Sequence, residues 1–326
     1  MTWWSLRQHR AEVGAIAALA IGIAALMVVA GLSLHAQFAP IARCFVPASS
    51  QQGAASPFCS NAIAQFLGDS KSLNLITSNL LAHVSLLGAF LGAPLFAREF
   101  EQGTWQLAWM QSVSRTRWWL TSGLVLVGAI TVAILGAVLA ITWFREPLDA
   151  IGSPLTDAFD LEGVVPLAAG VYSFALGAAA GLYLRRVLPA LGLAVVLSLA
   201  TGQVLAIGVR PHYLPPQESA VALGQGAVPE GGSAPAGAWV VGTGIVDSSG
   251  NLYTASGFTL LVDQAEQATD SFDFAEYARE RGFRQVTLYH PKDRFWTFQL
   301  IESSIYLALA VALGGLVTWR VRRGIS

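Results

Sequence analysis

The chain has 326 residues, 54% hydrophobic and only 12% charged, against about a quarter charged in an ordinary soluble domain. Nineteen Lys and Arg meet twenty Asp and Glu, a formal charge of -1, so no basic surface for nucleic acid is indicated. The apolar residues gather into runs of about 20, the length that crosses roughly 30 Å of hydrocarbon, which excludes a soluble globular domain and predicts an integral membrane protein.

Residues 1–13 are short and basic, with Trp3 and Trp4 suited to a membrane interface and Arg7 and Arg10 to its water side. The first predicted span is 14–34. It is too long for the apolar core of a typical secretory leader, although LHAQFAP after it carries a weak small-residue cleavage pattern. A polar loop follows over 35–73, with Pro40, Pro47, Pro57 and both cysteines, Cys44 and Cys59. In an oxidising compartment a Cys44–Cys59 disulfide would stabilise the fold by roughly 3 kcal/mol; two free thiols are the alternative. Ser60 to Leu67 reads as a short helix. The second span, 74–96, holds Asn79, His83 and Pro94. A charged and aromatic segment at 97–117 leads to the third span, 118–144, anchored by Trp118, Trp119 and Trp143. Arg145 to Gly163 reads as an acidic loop, 164–184 as the fourth span, Arg185 and Arg186 as a tight turn, and 187–208 as the fifth span.

Residues 209–297 are a long polar stretch. Its first half, rich in Gly and Pro, reads as a flexible loop. Trp239 to Val246 and Asn251 to Thr254 predict a β-hairpin turning at Asp247 to Gly250, Phe272 to Arg281 an amphipathic helix stopped by Gly282, and Arg284 to Tyr289 a further strand. The sixth span begins at Phe298 and runs to Trp319, and the chain ends RVRRGIS. The predicted fold is an all-α membrane protein of six transmembrane helices, with a small α+β extracytoplasmic lobe between the fifth and the sixth. With both termini inside, the cytoplasmic segments hold Arg7, Arg10, Arg98, Arg115, Arg117, Arg185, Arg186, Arg320, Arg322 and Arg323 against Glu12, Glu99 and Glu101. All four segments then obey the positive-inside bias.

Catalytic chemistry is not indicated. There is no GxxxxGK[ST] loop to cradle a nucleotide, no HExxH, no Cys/His cluster of metal-ligand spacing and no assignable Ser/His/Asp set. Polar residues inside spans are the remaining signals, because they are costly there and face other helices or a water cavity. His83 and Gln203 are such residues. Each is a candidate pathway contact, or simply a hydrogen-bond partner of a neighbouring helix. Glu302, one turn into the last span after Gln299, is a candidate for an outer gate, reaching the interface or an outer-loop arginine such as Arg294. No basic cavity for anionic lipid, no acidic lining for cations and no aromatic cage stands out in the spans.

The segment after the second span reads Glu99-x-Glu101-x-Gly103-Thr104, then an apolar patch from Trp105 to Met110, then Ser114-Arg115. Gly103 permits a turn, Thr104 can cap a short helix, and the patch suits an interfacial helix that offers one side to a partner. Glu99 and Glu101 can pair with arginines of this chain or of that partner. The alternative is an interfacial loop whose glutamates merely balance Arg98, Arg115 and Arg117.

This pattern resembles permease subunits of type-2 ATP-binding-cassette exporters, in which a segment of this form links the second and third of six spans. Val113 stands where that family often has Pro. YHPKDRFWTFQLIESSIYLAL, Tyr289 to Leu309, is similar to the lead-in of the last span in actinobacterial members. The resemblance implies a subunit of a bacterial cell membrane with no ATPase and no cofactor of its own, ATP and Mg being held by a cytosolic ATPase partner. It implies docking of that partner on Glu99, Glu101, Gly103, Thr104, Trp105, Ser114 and Arg115, pairing with a second permease copy, and export. A lipophilic drug, a peptide or a lipid would all suit an apolar bundle. The alternative function is a membrane sensor whose outer lobe reads a peptide or antibiotic, though its cytoplasmic segments are short for signalling.

Overall fold

The computed structural model describes residues 10–45, 57–81, 83–103, 114–223, 234–235, 237–268 and 272–323. Among these the chain is mostly helical, with five helices long and apolar enough to cross a membrane and one four-stranded sheet. Helix α1 (Arg10–Phe38) contains the first predicted span. The second predicted span, 74–96, is not one helix. Its start belongs to α2 (Pro57–Leu81), which also absorbs the short helix expected at Ser60; a 3-10 turn at Val84–Leu86 follows the break, and α3 (Leu87–Glu101) completes it. The 15 residues of α3 reach about 22 Å, short of a full crossing.

Helix α4 (Arg115–Asp149) extends the third predicted span at both ends, so Arg145, read from sequence as loop, lies on a helix. Helix α5 (Val165–Leu184) is the fourth span. Helix α6 (Val187–Gln203) continues through a π-helical turn, Val204–Val209, and a 3-10 turn, Arg210–His212. The last long helix, here α9 (Phe295–Arg323), begins three residues before the predicted sixth span.

Helix α5 is the centre of the bundle: 89% of its apolar window is buried, against 17–33% for the other four crossing helices. Its sequence, VPLAAGVYSFALGAAAGLYL, explains this, because Ala and Gly let neighbours approach closely. A Cβ added at Gly88 or Gly92 of α3 would run into the α5 backbone, at Gly170 and at Phe174 respectively. A Cβ at Gly177 would lie 2.8 Å from the Ala93 nitrogen, and one at Gly181 would meet the Ala93 carbonyl. Two facing small-xxx-small pairs thus bring α3 and α5 into backbone contact, the packing that holds helices together where lipid supplies no hydrophobic drive. Helix α1 packs on α4, where the Trp143 ring seats over Gly31 and stacks on His35 at 4.7 Å. Trp119 of α4 donates from Nε1 to Thr318 Oγ1 of α9. Val29, Leu124, Leu188 and Val311 point outward on α1, α4, α6 and α9, an apolar surface of the kind a bilayer covers. Cys44 and Cys59 are joined by a disulfide, tying the end of the first span to the start of α2.

The lobe is an antiparallel sheet in the order β1-β4-β2-β3, formed by β1 (Gln217–Ala222), β2 (Trp239–Val246), β3 (Leu252–Tyr253) and β4 (Arg284–His290). The β2–β3 hairpin turns on Asp247, whose carboxylate accepts from the Ser249 and Asn251 amides, Asn251 Nδ2 and the Tyr253 hydroxyl. These donors, the Asn251 side chain foremost, hold its pKa down to about 2. Helix α7 (Ala255–Ala268) was not foreseen from the sequence. Helix α8 (Phe274–Arg281) was; Asp273 caps its start and Gly282, at φ 63°, ends it. Strand β1 overturns the reading of its segment as flexible loop: β4 is central in the sheet, and β1 occupies its second edge. Leu223, Ala278 and Phe283 form the lobe core with Tyr253, Phe258 and Tyr277. Trp239, His290 and Phe298 cluster where the lobe meets the spans.

Gly177→Leu forces a side chain into the α3 backbone, an obstruction that cannot move aside as a core side chain would. Overpacking costs about 1–3 kcal/mol even in adaptable cores. The variant is expected to melt lower, or to aggregate, in detergent. Gly192→Leu, whose Cβ would meet nothing, is expected to melt like the parent.

Candidate functional site

Two places bring together the residues singled out in the sequence. The first is a cavity of about 120 Å³ on the lobe side of the bundle, between the break after α2, the start of α5 and the far end of α6. His83 and Gln203 both line it, with Asp160, Tyr172, Ser198 and Tyr306. His83 is therefore not inside a continuous span; it opens the 3-10 turn at the break. Both His83 and Gln203 are exposed on their outer faces.

Glu302 stands behind this cavity and is fully buried. Its partner is Arg210, not Arg294. Arg210 Nε donates to Glu302 Oε2 at 2.9 Å and Nη2 to Oε1 at 2.8 Å, and the Tyr213 hydroxyl adds a bond of 2.9 Å. The same guanidinium grips Asp160, Nη2 to Oδ1 at 2.6 Å and Nη1 to Oδ2 at 3.3 Å, and lies 3.9 Å over the Phe159 ring. Arg294 is engaged elsewhere, donating to the Pro215 carbonyl and contacting His290 Nδ1. Burial, with the Glu302 charge next, raises the Tyr213 hydroxyl above its ordinary range, so it stays a donor. Gln299, one turn before Glu302, binds the start of α5. Its Oε1 accepts from the Val164 and Val165 amides and its Nε2 donates to the Phe159 carbonyl. Arg210 and Asp160 escaped the sequence reading. The available signal was an arginine directly ending an apolar run, with a buried carboxylate in the last span needing a counter-charge.

A second buried arginine stands near the same end. Arg145 donates to Asn74 Oδ1 at 2.9 Å and to Asp149 Oδ1 at 3.2 Å, while its Nε lies 3.6 Å from Glu162 Oε1, an ion pair too long for a hydrogen bond. Burial first, then the Asp149 charge, pushes the Glu162 pKa up to about 8.

The second place is the opposite end, at the motif. Thr104 and Trp105, with the rest of 104–113, lie outside the described residues. Gly103 ends α3 at φ 67°, and Ser114 caps α4 by accepting from the Arg117 amide. Arg115 is the first residue of α4. Glu99 is half-buried in the last turn of α3. Glu101 Oε1 accepts from the Val187 amide at 3.0 Å, so this carboxylate caps the fifth span where a pairing with arginine was expected. A carboxylate there also favours the positive end of the helix dipole. The turn before it places Arg185 in the left-handed region, φ 56°, with its guanidinium over the Phe100 ring.

Two measurements probe the buried charges. Arg210→Ala strands Glu302 in an apolar site and is expected to cost about 3–5 kcal/mol; adding Glu302→Gln should recover part of that loss in the melting temperature. For Glu162 the folded pKa of about 8 exceeds the ordinary 4.5, so the folded state binds more protons between these values. Its contribution is fully present below 4.5 and is lost as pH rises through 8. Melting temperatures followed across this range should decline less steeply in Glu162→Gln.

Comparison with known proteins comes down to one match. Residues 16–210 match the family model described as ABC-2 membrane transporter related. No curated protein and no solved structure matches. The matched range runs from the first span through the motif segment to Arg210 and leaves the lobe out.

Proposed function

The chain belongs to the ABC-2 membrane transporter related family, and we propose that it is the permease subunit of an ATP-driven exporter, coupled to a cytosolic ATPase through residues 99–115. Membership makes it a multi-pass membrane component of an ABC transporter, of a kind that is generally not itself an enzyme and works with an ABC ATPase. The finer reading is ours. The ATPase docks on Glu99, Glu101, Gly103, Thr104, Trp105, Ser114 and Arg115 and holds the ATP and Mg. A second permease copy completes the pore. Both termini face the cytoplasm of a bacterial cell, and cargo moves outward: a lipophilic drug, a peptide or a lipid.

The family match across both helices that flank the motif segment carries this reading. Three features support it. Glu101 joins the motif to the first turn of α6, so a push on the segment has a direct route to a helix lining the cavity. The arginines at 185, 186, 320, 322 and 323 stand at the motif end, the side that the positive-inside bias gives to the cytoplasm. The disulfide suits an oxidising compartment, the outer side on this reading.

Gentle detergent purification is expected to bring down a stoichiometric subunit with a P-loop. Changing Glu99 and Glu101 to Ala is expected to lower ATP-driven transport by tenfold or more while leaving expression and melting of the permease near those of the parent. Transport at the parental rate in a well-expressed double variant would contradict the coupling role. A signalling protein in place of the ATPase would return the weight to a sensor.

A further inference from the structure

Charge accounting around the lobe-side cavity gives a result that the sequence did not suggest. Arg210 supplies one positive charge and is gripped by two carboxylates, Asp160 and Glu302. All the donors on Glu302 and Asp160 point at carboxylate oxygens, which accept and do not donate. In formal charges the cluster sets two carboxylates against one guanidinium. Glu302 and Arg210 are buried, but the Asp160 side chain remains 47% exposed and lines the cavity. Asp160 is thus the member of the cluster that faces the cavity, where a ligand can reach its carboxylate.

The rest of the wall brings two tyrosines and a serine, together with the imidazole of His83. The Tyr172 and Tyr306 rings stand 5.6 Å apart on one side, and ring faces attract a cation. Ser198 is nine-tenths buried on the cavity wall, and its hydroxyl makes no hydrogen bond among the described residues, which leaves it free to bond a ligand. A volume of about 120 Å³ is enough for a small headgroup. Beside it, Leu199 lines the cavity and is also exposed on the outer surface of α6, continuous with the exposed Val204 and Ile207. An apolar tail has room there and a large polar body does not.

We propose that this cavity binds the cationic headgroup of an amphiphile, a small ammonium seated between Asp160 and the tyrosine rings with its tail along α6. This deepens the permease reading by naming a cargo class, and rests on that reading only for the claim that the bound molecule is moved. It replaces the expectation that no acidic lining serves a cation.

The test uses the full chain alone, purified into zwitterionic nanodiscs, with dodecyltrimethylammonium as the probe. Saturable binding is expected. Asp160→Asn, which removes the carboxylate charge and keeps the shape, should weaken it at least tenfold. Gly202→Leu should abolish it; Gly202 lines the cavity and its added Cβ meets only the Tyr306 hydroxyl, at 3.6 Å, so this variant fills space without touching charge and decides the matter should Asp160→Asn fail to fold. Equal competition by dodecyl sulfate would overturn the proposal, as would parental affinity in either folded variant. Competition by tetramethylammonium at the same concentration would overturn the amphiphile and leave a site for a free small cation. Because no ATPase is present, cation binding in a chain that recruits no ATPase would sink the permease reading and spare this one, and an ATPase partner without cation binding would do the reverse.

Discussion

Inside hydrocarbon, every backbone N–H and C=O must find a partner within the protein. Most of this structure can be read as the consequence. The second span is interrupted after Leu81, and non-helical backbone at that depth is tolerated only where it is buried in protein or borders a cavity. The break at His83 does border one. The start of α5 leaves two amides over, and Gln299 of the last span takes both. The start of α6 leaves another, which Glu101 takes. In each case a helix end is completed by a side chain from a different helix. The ends of the spans are therefore joined by polar bonds while their middles are joined by packing.

That packing explains why α5 is central and why it is made of Ala and Gly. A helix surrounded on all sides cannot also carry large side chains without pushing its neighbours away. Contact between α3 and α5 at Gly88, Gly92, Gly177 and Gly181 sets their separation, and the surrounding Phe174, Trp119 and Phe96 fill the space beside it. The two buried arginines then differ in a telling way. Around Arg145, Glu162 lies at a distance, keeps an unpartnered oxygen and is held largely protonated near neutrality, so the group balances itself. Around Arg210 the Glu302 carboxylate is buried under three donor bonds, while Asp160 takes two from the same guanidinium and stays half-exposed.

Much of this was legible in the sequence. Length and hydropathy give the long helices to within a few residues, because the bilayer imposes one length on every crossing. The hairpin at Asp247 and the Asp273-to-Gly282 helix were legible because turn and cap chemistry is local. What failed was non-local. Strand β1 has little β character of its own, and its place depends on an open edge of β4 whose paired residues are 62 to 72 positions away in the chain. The break at His83 lies within an apolar run that carries no Pro or Gly at the break itself. Glu302 was read as reaching the interface or an outer-loop arginine such as Arg294; it is fully buried on Arg210, a partner that geometry and not spacing decides. Of the residues that carry the family likeness, Glu99, Glu101, Gly103, Ser114 and Arg115 are described, and Thr104 lies outside the described residues.

Helix α6 is the element on which both ends of the molecule converge. Its first amide is held by Glu101 at the motif end. About 35 Å farther along, at 1.5 Å per residue, its continuation ends in Arg210, the residue that binds Asp160 and Glu302 at the cavity. Between them lies the π-helical turn Val204–Val209, a wider turn of the kind that often marks functional positions in helices. On the proposed coupling, a force applied to residues 99–115 enters α3 and is passed on in two ways: through glycine contacts to α5, and through Glu101 to α6. Both of those helices line the cavity. Helices α1 and α4 take no part in its wall, and they are joined to each other by Trp143, Gly31 and His35. Helix α4 also packs on α5, with Ile134 over Gly170 and Trp119 against Phe174, so on the proposed coupling α5 is the element that would share such a force between the cavity and the rest of the bundle.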